Sequence, residues 1–174
     1  MLMWHYRSKH EDLIRFQNHF IYDSKLIIPP STMGGDSEEF GVSNHYLGDS
    51  IYKNGGTNDD EADHIIKLLL RHVANYPKKS IGIAVVNTHQ RDLINDKIRV
   101  ALDSNPTLGD FLDFWQNHDE GLNKFFVKNL ENVQGDERDV IIVGTVYGQK
   151  KPATRVQQSF GPINFPNGHR RLNV

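Results

Sequence analysis

Ile81-Gly82-Ile83-Ala84-Val85-Val86 passes at once into a helical pattern that runs from Thr88 to Ser104. An almost unbroken apolar run of this length is the pattern of a strand buried on both faces, as in a parallel sheet. The helix that follows makes the pair the start of a βαβ unit. Upstream, Asn58 is placed to cap a helix from Asp59 to Tyr76, in which Ala62, Ile65, Ile66, Leu69 and Val73 form one apolar stripe and Pro77 supplies the stop. Downstream, Asn105 and Pro106 read as loop, Leu108 to Trp115 as a small apolar helix, Lys124 to Lys128 as a strand and Val140 to Val146 as a second buried strand. The three strands are expected as neighbours in one sheet. Farther out, Leu13, Ile14, Phe16 and Phe20 give Ser8 to Phe20 the spacing of an amphipathic helix, with Glu11 and Asp12 in its first turn. Lys25 to Ile28 reads as a brief strand stopped by Pro29-Pro30. Residues 29–57 and 147–170 read mostly as loop, with a weak strand signal from His45 to Tyr52. The order is α/β throughout.

At 174 residues, 1–174 reads as a single domain, long enough to bury a core unaided. A composition 37% hydrophobic and 24% charged, with net charge -2, is that of an ordinary globular protein and carries no basic footprint. Any nucleic-acid contact must therefore be local. With no cysteine, disulfides and thiolate metal sites are excluded and a reducing, cytoplasmic setting fits. Charge enters at Arg7 before any apolar run develops, so the start is no signal peptide, and nowhere do about 18 apolar residues run together, which sets membrane readings aside.

The chemistry concentrates in Val127-Lys128-Asn129-Leu130-Glu131-Asn132-Val133-Gln134-Gly135-Asp136-Glu137-Arg138-Asp139-Val140-Ile141-Ile142. A polar turn with one glycine lies between two apolar strands, so Gly135 lets backbone N–H groups approach an anion with carboxylates alongside. The carboxyl end of parallel strands is where such folds bind ligands. Taken alone, the stretch fits equally well a charged loop between core strands. Other constellations fail. The pairs His5 with His10 and His64 with His72 lack one-turn spacing and an acid, so no metal site is expected and the histidines read as solvated. Asp23-Ser24-Lys25 has the acid-x-lysine form of restriction-like nucleases, but Asp12 is too near and too helical to complete it. Phe111, Phe114 and Trp115 have helical spacing, which favours core packing over base stacking.

Gln134-Gly135-Asp136-Glu137 before an apolar strand resembles motif V of superfamily 1 helicases, in the form used by the group that includes the nonsense-mediated-decay helicase. Four further signals stand in that family's order. His5-Tyr6-Arg7-Ser8 with Phe20-Ile21-Tyr22-Asp23-Ser24-Lys25-Leu26 resembles the motif IV region. Asn58-Asp59-Asp60-Glu61-Ala62 resembles an Asn-x-x-Glu-Ala helix start, Ile81-Gly82-Ile83 with Gln90-Arg91 the strand and helix after it, and Arg171-Leu172-Asn173-Val174 the opening of motif VI. Asn129-Leu130-Glu131-Asn132-Val133-Gln134-Gly135 is also similar to large bacterial multidomain members. The resemblance implies the second, C-terminal RecA-like motor domain, a P-loop NTPase fold with a mainly parallel sheet flanked by helices, ending within motif VI.

It also implies roles. Arg7 would reach the γ-phosphate across an interdomain cleft, a task suited to a permanently charged planar guanidinium; a solvated arginine is the alternative. Gly135 would bring backbone to the phosphate tail, Glu137 would accept from a ribose hydroxyl unless it is a surface charge paired with Arg138, and Gln134 would couple nucleotide to nucleic acid. Asn129 stands where relatives place a strand-contacting threonine, with Lys128 beside it. Val85 stands where many relatives have a second threonine, which leaves Asn87, Thr88 and Gln90 as substitutes at the helix start; ordinary N-capping by Asn87 or Thr88 competes with that role. The cofactor implied is ATP with Mg2+, bound mainly by another domain, because the chain has no Gly-x-x-x-x-Gly-Lys-Ser/Thr and no Asp-Glu pair behind an apolar strand. Single-stranded DNA or RNA and the parent protein's N-terminal RecA-like domain are the implied partners. A non-catalytic RecA-like module that binds nucleic acid or a partner protein is the alternative. Arg7, Gly135 and Glu137 are expected along one edge.

Overall fold

The computed structural model describes Trp4, Ser8, residues 10–29 and 41–150, Val156 and Pro166. The chain divides into two compact units, Met1–Tyr46 and Leu47–Leu172.

In the second unit the elements are helix α2 (Asp59–Asn75), strand β1 (Ile81–Val85), helices α3 (Thr88–Ser104) and α4 (Pro106–Asn117), and strands β2 (Phe126–Asn129) and β3 (Val140–Gly144). The three strands form one sheet in the order β2-β1-β3, with β1 parallel to both neighbours. The expected strand adjacency is what the structure has. Asn58 holds an extended conformation and its side chain accepts from Glu61 N, the N-cap that starts α2, while Asp59, Asp60 and Glu61 line the first turn. Pro106, expected in a loop, instead opens α4, where its missing N–H costs nothing.

All five residues of β1 are buried. Ile81, Ile83 and Val85 join Ile65 and Leu69 of α2, Ile94 of α3 and Leu108, Phe111 and Trp115 of α4 in the main core. The aromatic pair Phe111 and Trp115 is thus core, whereas Phe114 is exposed and stacks on His118 at 4.9 Å. Ala84 faces the other way, packed with Phe126 and Val133. A Cβ on Gly82 would meet three Phe126 ring carbons at 2.4–2.8 Å. That ring cannot easily swing away, because Lys128 Nζ and the Arg138 guanidinium lie over it at 5.0 and 4.9 Å. Gly82→Ala is therefore expected to destabilise the fold by about 1–3 kcal/mol, read as a lower urea midpoint at unchanged slope. A midpoint equal to wild type would show that the ring is not fixed.

Two further expectations are corrected in this unit. β3 is not buried on both faces: Val140 and Ile142 pack against the main core, whereas Ile141 is 40% and Val143 57% exposed, because side chains alternate along a strand and only one face of β3 is covered among the described residues. His72 is not solvated. It is 7% exposed, its Nε2 lies 2.7 Å from Lys79 O, and burial pushes its imidazole below the ordinary range. Nearby, Asp139 Oδ2 accepts from both N and Oγ of Ser80 at 2.8 Å, which ties the start of β1 to that of β3.

In the first unit, helix α1 (Asp12–Phe20) begins four residues later than the pattern from Ser8 suggests, and of its apolar residues only Ile14 is buried. Lys25 to Ile28 forms no strand; Ile27 makes an isolated bridge with Trp4. Asp23 and Ser24 take left-handed conformations, and the Asn18 amide brackets Leu26, donating to its O and accepting from its N, so the backbone groups a sheet would need are already used. The weak signal from His45 to Tyr52 reduces to a single bridge in the second unit, Ile51 with Gln149. Arg7 and the segment from Arg171 to Val174 lie outside the described residues. No helix among the described residues is long and apolar enough to cross a membrane.

Candidate functional site at the carboxyl edge of the sheet

Parallel strands all end on one edge, and here β1, β2 and β3 deliver Asn87-Thr88, Asn129 and Thr145-Val146 to it. Asn129 Nδ2 donates to Thr88 Oγ1 at 3.0 Å, which joins two sequence-identified residues 41 positions apart. The Oδ1 of Asn129 is buried with no partner among the described residues. Next to Asn129, Lys128 Nζ makes an ion pair with Asp136 Oδ2 at 2.6 Å, so β2 is pinned to the following turn.

That turn runs from Val133 to Asp136 and is closed by Asp136 N donating to Val133 O at 2.9 Å. Gly135 sits at its third position with φ 87°, the left-handed value that type II turns reserve for glycine, and open space surrounds the place a Cβ would take. Gln134, Gly135 and Glu137 are exposed. Arg138 turns inward instead: its side chain is 3% exposed and donates through Nε and Nη2 to Lys124 O.

Asn87 is the N-cap of α3. Its Oδ1 accepts from Gln90 N at 2.8 Å and its Nδ2 donates to Gly56 O at 3.0 Å, so both ends of the amide are engaged within the fold. Thr88 and His89 stand exposed beside it. Gln90 is a correction. It is fully buried, with Oε1 accepting from Asn58 N and Nε2 donating to Asn58 O and Glu61 Oε2, and offers nothing to an outside strand.

The profile of the family described as AAA domain matches residues 1–174. The chain belongs to the AAA domain family. Its parallel sheet with flanking helices is the RecA-like α/β arrangement. The AAA domain is 37% identical, over 177 residues, to a protein of Mycoplasma genitalium named as an uncharacterized ATP-dependent helicase, and 37% identical, over 176 residues, to the homologue so named in Mycoplasma pneumoniae. Each match takes in 100% of this chain and 15% of the relative, so the chain spans about 15% of the length of these relatives. No solved structure matches.

Beneath the exposed edge of this AAA domain lies a polar cluster that sequence reasoning missed. Glu61 Oε1 accepts from Thr145 N and Val146 N, each at 2.8 Å, and its Oε2 from Gln90 Nε2 at 2.9 Å. Burial pushes the Glu61 carboxyl above the usual carboxylate range, against the pull of these donors. Val146, fully buried, is held at φ 64°, a conformation that costs a β-branched residue about 1–3 kcal/mol. Asn58 Nδ2 donates to Val146 O and to Ser50 Oγ, which closes the cluster. The signal was present as Asn58-x-x-Glu61, but spacing alone reads as a helix cap and does not show what the glutamate holds.

Proposed function

We propose that this AAA domain is the second motor domain of an ATP-dependent superfamily 1 helicase or translocase, completing an ATP site and gripping single-stranded DNA or RNA. The observation that carries the reading is the Asn129–Thr88 pair, which sets the end of β2 beside the start of α3 at the carboxyl edge, with the open left-handed turn at Gly135 following farther along the chain, after a helical turn at Leu130–Asn132. The helicase names of the Mycoplasma relatives support it. Gly135 has the room for a phosphate to approach its backbone. Glu137, exposed beside it, would accept from the ribose, and Gln134 would link nucleotide to strand. Lys128, Asn129 and Thr88 would touch the sugar–phosphate backbone, with Asn87 holding the helix start in place. Arg7 would serve the γ-phosphate.

ATP supplies the phosphoryl group whose transfer to water drives movement, and Mg2+ with the phosphate-cradling loop would come from the parent's N-terminal RecA-like domain. A cytoplasmic setting fits a cysteine-free chain of this kind.

The test is phosphate release by the full-length protein, with and without an unstructured oligonucleotide of DNA or RNA. Turnover is expected to rise about tenfold or more with the strand. Strand binding with no hydrolysis in any condition would instead favour a non-catalytic RecA-like module.

A further inference from the structure

The cluster beneath the edge links its two sides. One side is the first turn of α3, where Thr88 holds Asn129 and Asn87 caps Gln90 N. The other is the chain leaving β3, where Thr145 N and Val146 N are held by one carboxylate oxygen. Glu61 joins them, since its second oxygen takes Gln90 Nε2. Gln90 cannot turn its amide to suit another partner: Oε1 and Nε2 already bracket Asn58 N and O at 2.8 and 2.9 Å. Motion of the α3 first turn therefore moves Gln90, and Gln90 loads the carboxylate that maintains Val146 in its strained left-handed backbone. The strained backbone of Val146 is thus held by contacts that run through Glu61 and Gln90 to the first turn of α3.

We infer that Glu61 is a positioning residue which transmits strand binding at the start of α3 to the backbone of Thr145 and Val146, and so sets how strongly a bound strand accelerates ATP hydrolysis. This rests on the motor-domain reading. Glu61 touches neither strand nor nucleotide; it acts through Gln90 on one side and through two backbone amides on the other.

Glu61→Gln tests it in the full-length protein. A glutamine has one acceptor oxygen and an NH2, so it either keeps Thr145 and Val146 and sets donor against donor at Gln90, or keeps Gln90 and loses the two amides. Gln90→Met cuts the same link from the α3 side with little change of volume. For each, phosphate release is measured with and without a saturating oligonucleotide, alongside oligonucleotide affinity and melting temperature. The ratio of stimulated to unstimulated turnover is expected to fall about fivefold or more, with oligonucleotide affinity within about twofold of wild type. A merely structural role would lower both rates together and leave the ratio alone. A folded variant of either kind with the wild-type ratio overturns the inference. Should both variants fail to fold, hydrogen exchange of the wild-type protein decides: strand binding is expected to change exchange at Thr145 and Val146, and unchanged exchange there overturns it. A wild-type protein that no strand stimulates marks the failure of the motor-domain reading, and this inference falls with it.

Discussion

Replacing Arg7 with alanine in the full-length protein is expected to slow strand-stimulated ATP hydrolysis by about 10³-fold or more, because arginine fingers contribute roughly 10³ to 10⁵ in rate. The charge that develops on the transferring phosphoryl group needs a donor which is planar, forked and never neutral, and lysine meets none of the first two requirements. Arg7→Lys should therefore recover little of the loss. Strand affinity should stay within about threefold of wild type in both variants, since an arginine aimed at phosphate of the nucleotide contributes nothing to the strand's own backbone. Single-turnover phosphate release together with oligonucleotide titration separates the two effects. Retention of full strand-stimulated turnover by Arg7→Ala would remove Arg7 from the catalytic machinery and leave it a solvated arginine.

The 174-residue chain on its own is expected to release phosphate from ATP at no more than background and to separate no duplex, a larger loss still. Phosphoryl transfer needs a loop that wraps the β- and γ-phosphates, its lysine, and an acid that holds Mg2+. The sequence contains no such loop, and among the described residues no group of three His, Asp or Glu stands close enough to hold a metal. On the proposed reading it would contribute one wall, an open glycine turn and the groups around it. Purified chain incubated with ATP, Mg2+ and oligonucleotide, followed by a phosphate sensor, checks this directly. Hydrolysis well above a no-protein control would mean that a complete site exists within these residues and would refute the divided-site reading.

The elements read most cleanly in the sequence are those whose evidence is local. A stripe of Ala62, Ile65, Leu69 and Val73 behind a capping asparagine fixes α2 to within one residue, and the unbroken run from Ile81 fixes β1. Gly135 is legible for a similar reason, since a lone glycine in a polar turn marks a backbone that L side chains avoid, and φ 87° is what the structure has there. What stayed hidden depends on distant partners. Gln90 looks like a surface residue of a helix's first turn until Asn58, 32 positions earlier, closes around its amide. His72 has the spacing of the α2 stripe but the chemistry of a solvated side chain, and its burial follows from Lys79 O being there to meet it. Conversely, Ile141 and Val143 carry the composition of a buried strand, yet composition does not say whether a second face is covered. Periodicity reports which way a side chain points, and only the rest of the chain decides what stands there.

The sheet order has a consequence for synthesis. β1 is the middle strand, and both of its neighbours come later in the chain. Ser80 and Asp139, which clamp the beginnings of β1 and β3, are 59 residues apart. At roughly 5–20 residues per second, about 3 to 12 s pass between the emergence of β1 from the ribosome and that of its last partner. Until Phe126–Asn129 emerges Ile81, Ile83 and Val85 have no strand to pair with, and until Val140–Gly144 emerges β1 has one edge open, although α2 and then α3 are already available to cover its side chains. Chaperone capture of nascent chains is therefore expected to begin once Val85 is exposed and to decline after Gly144 has cleared the exit tunnel.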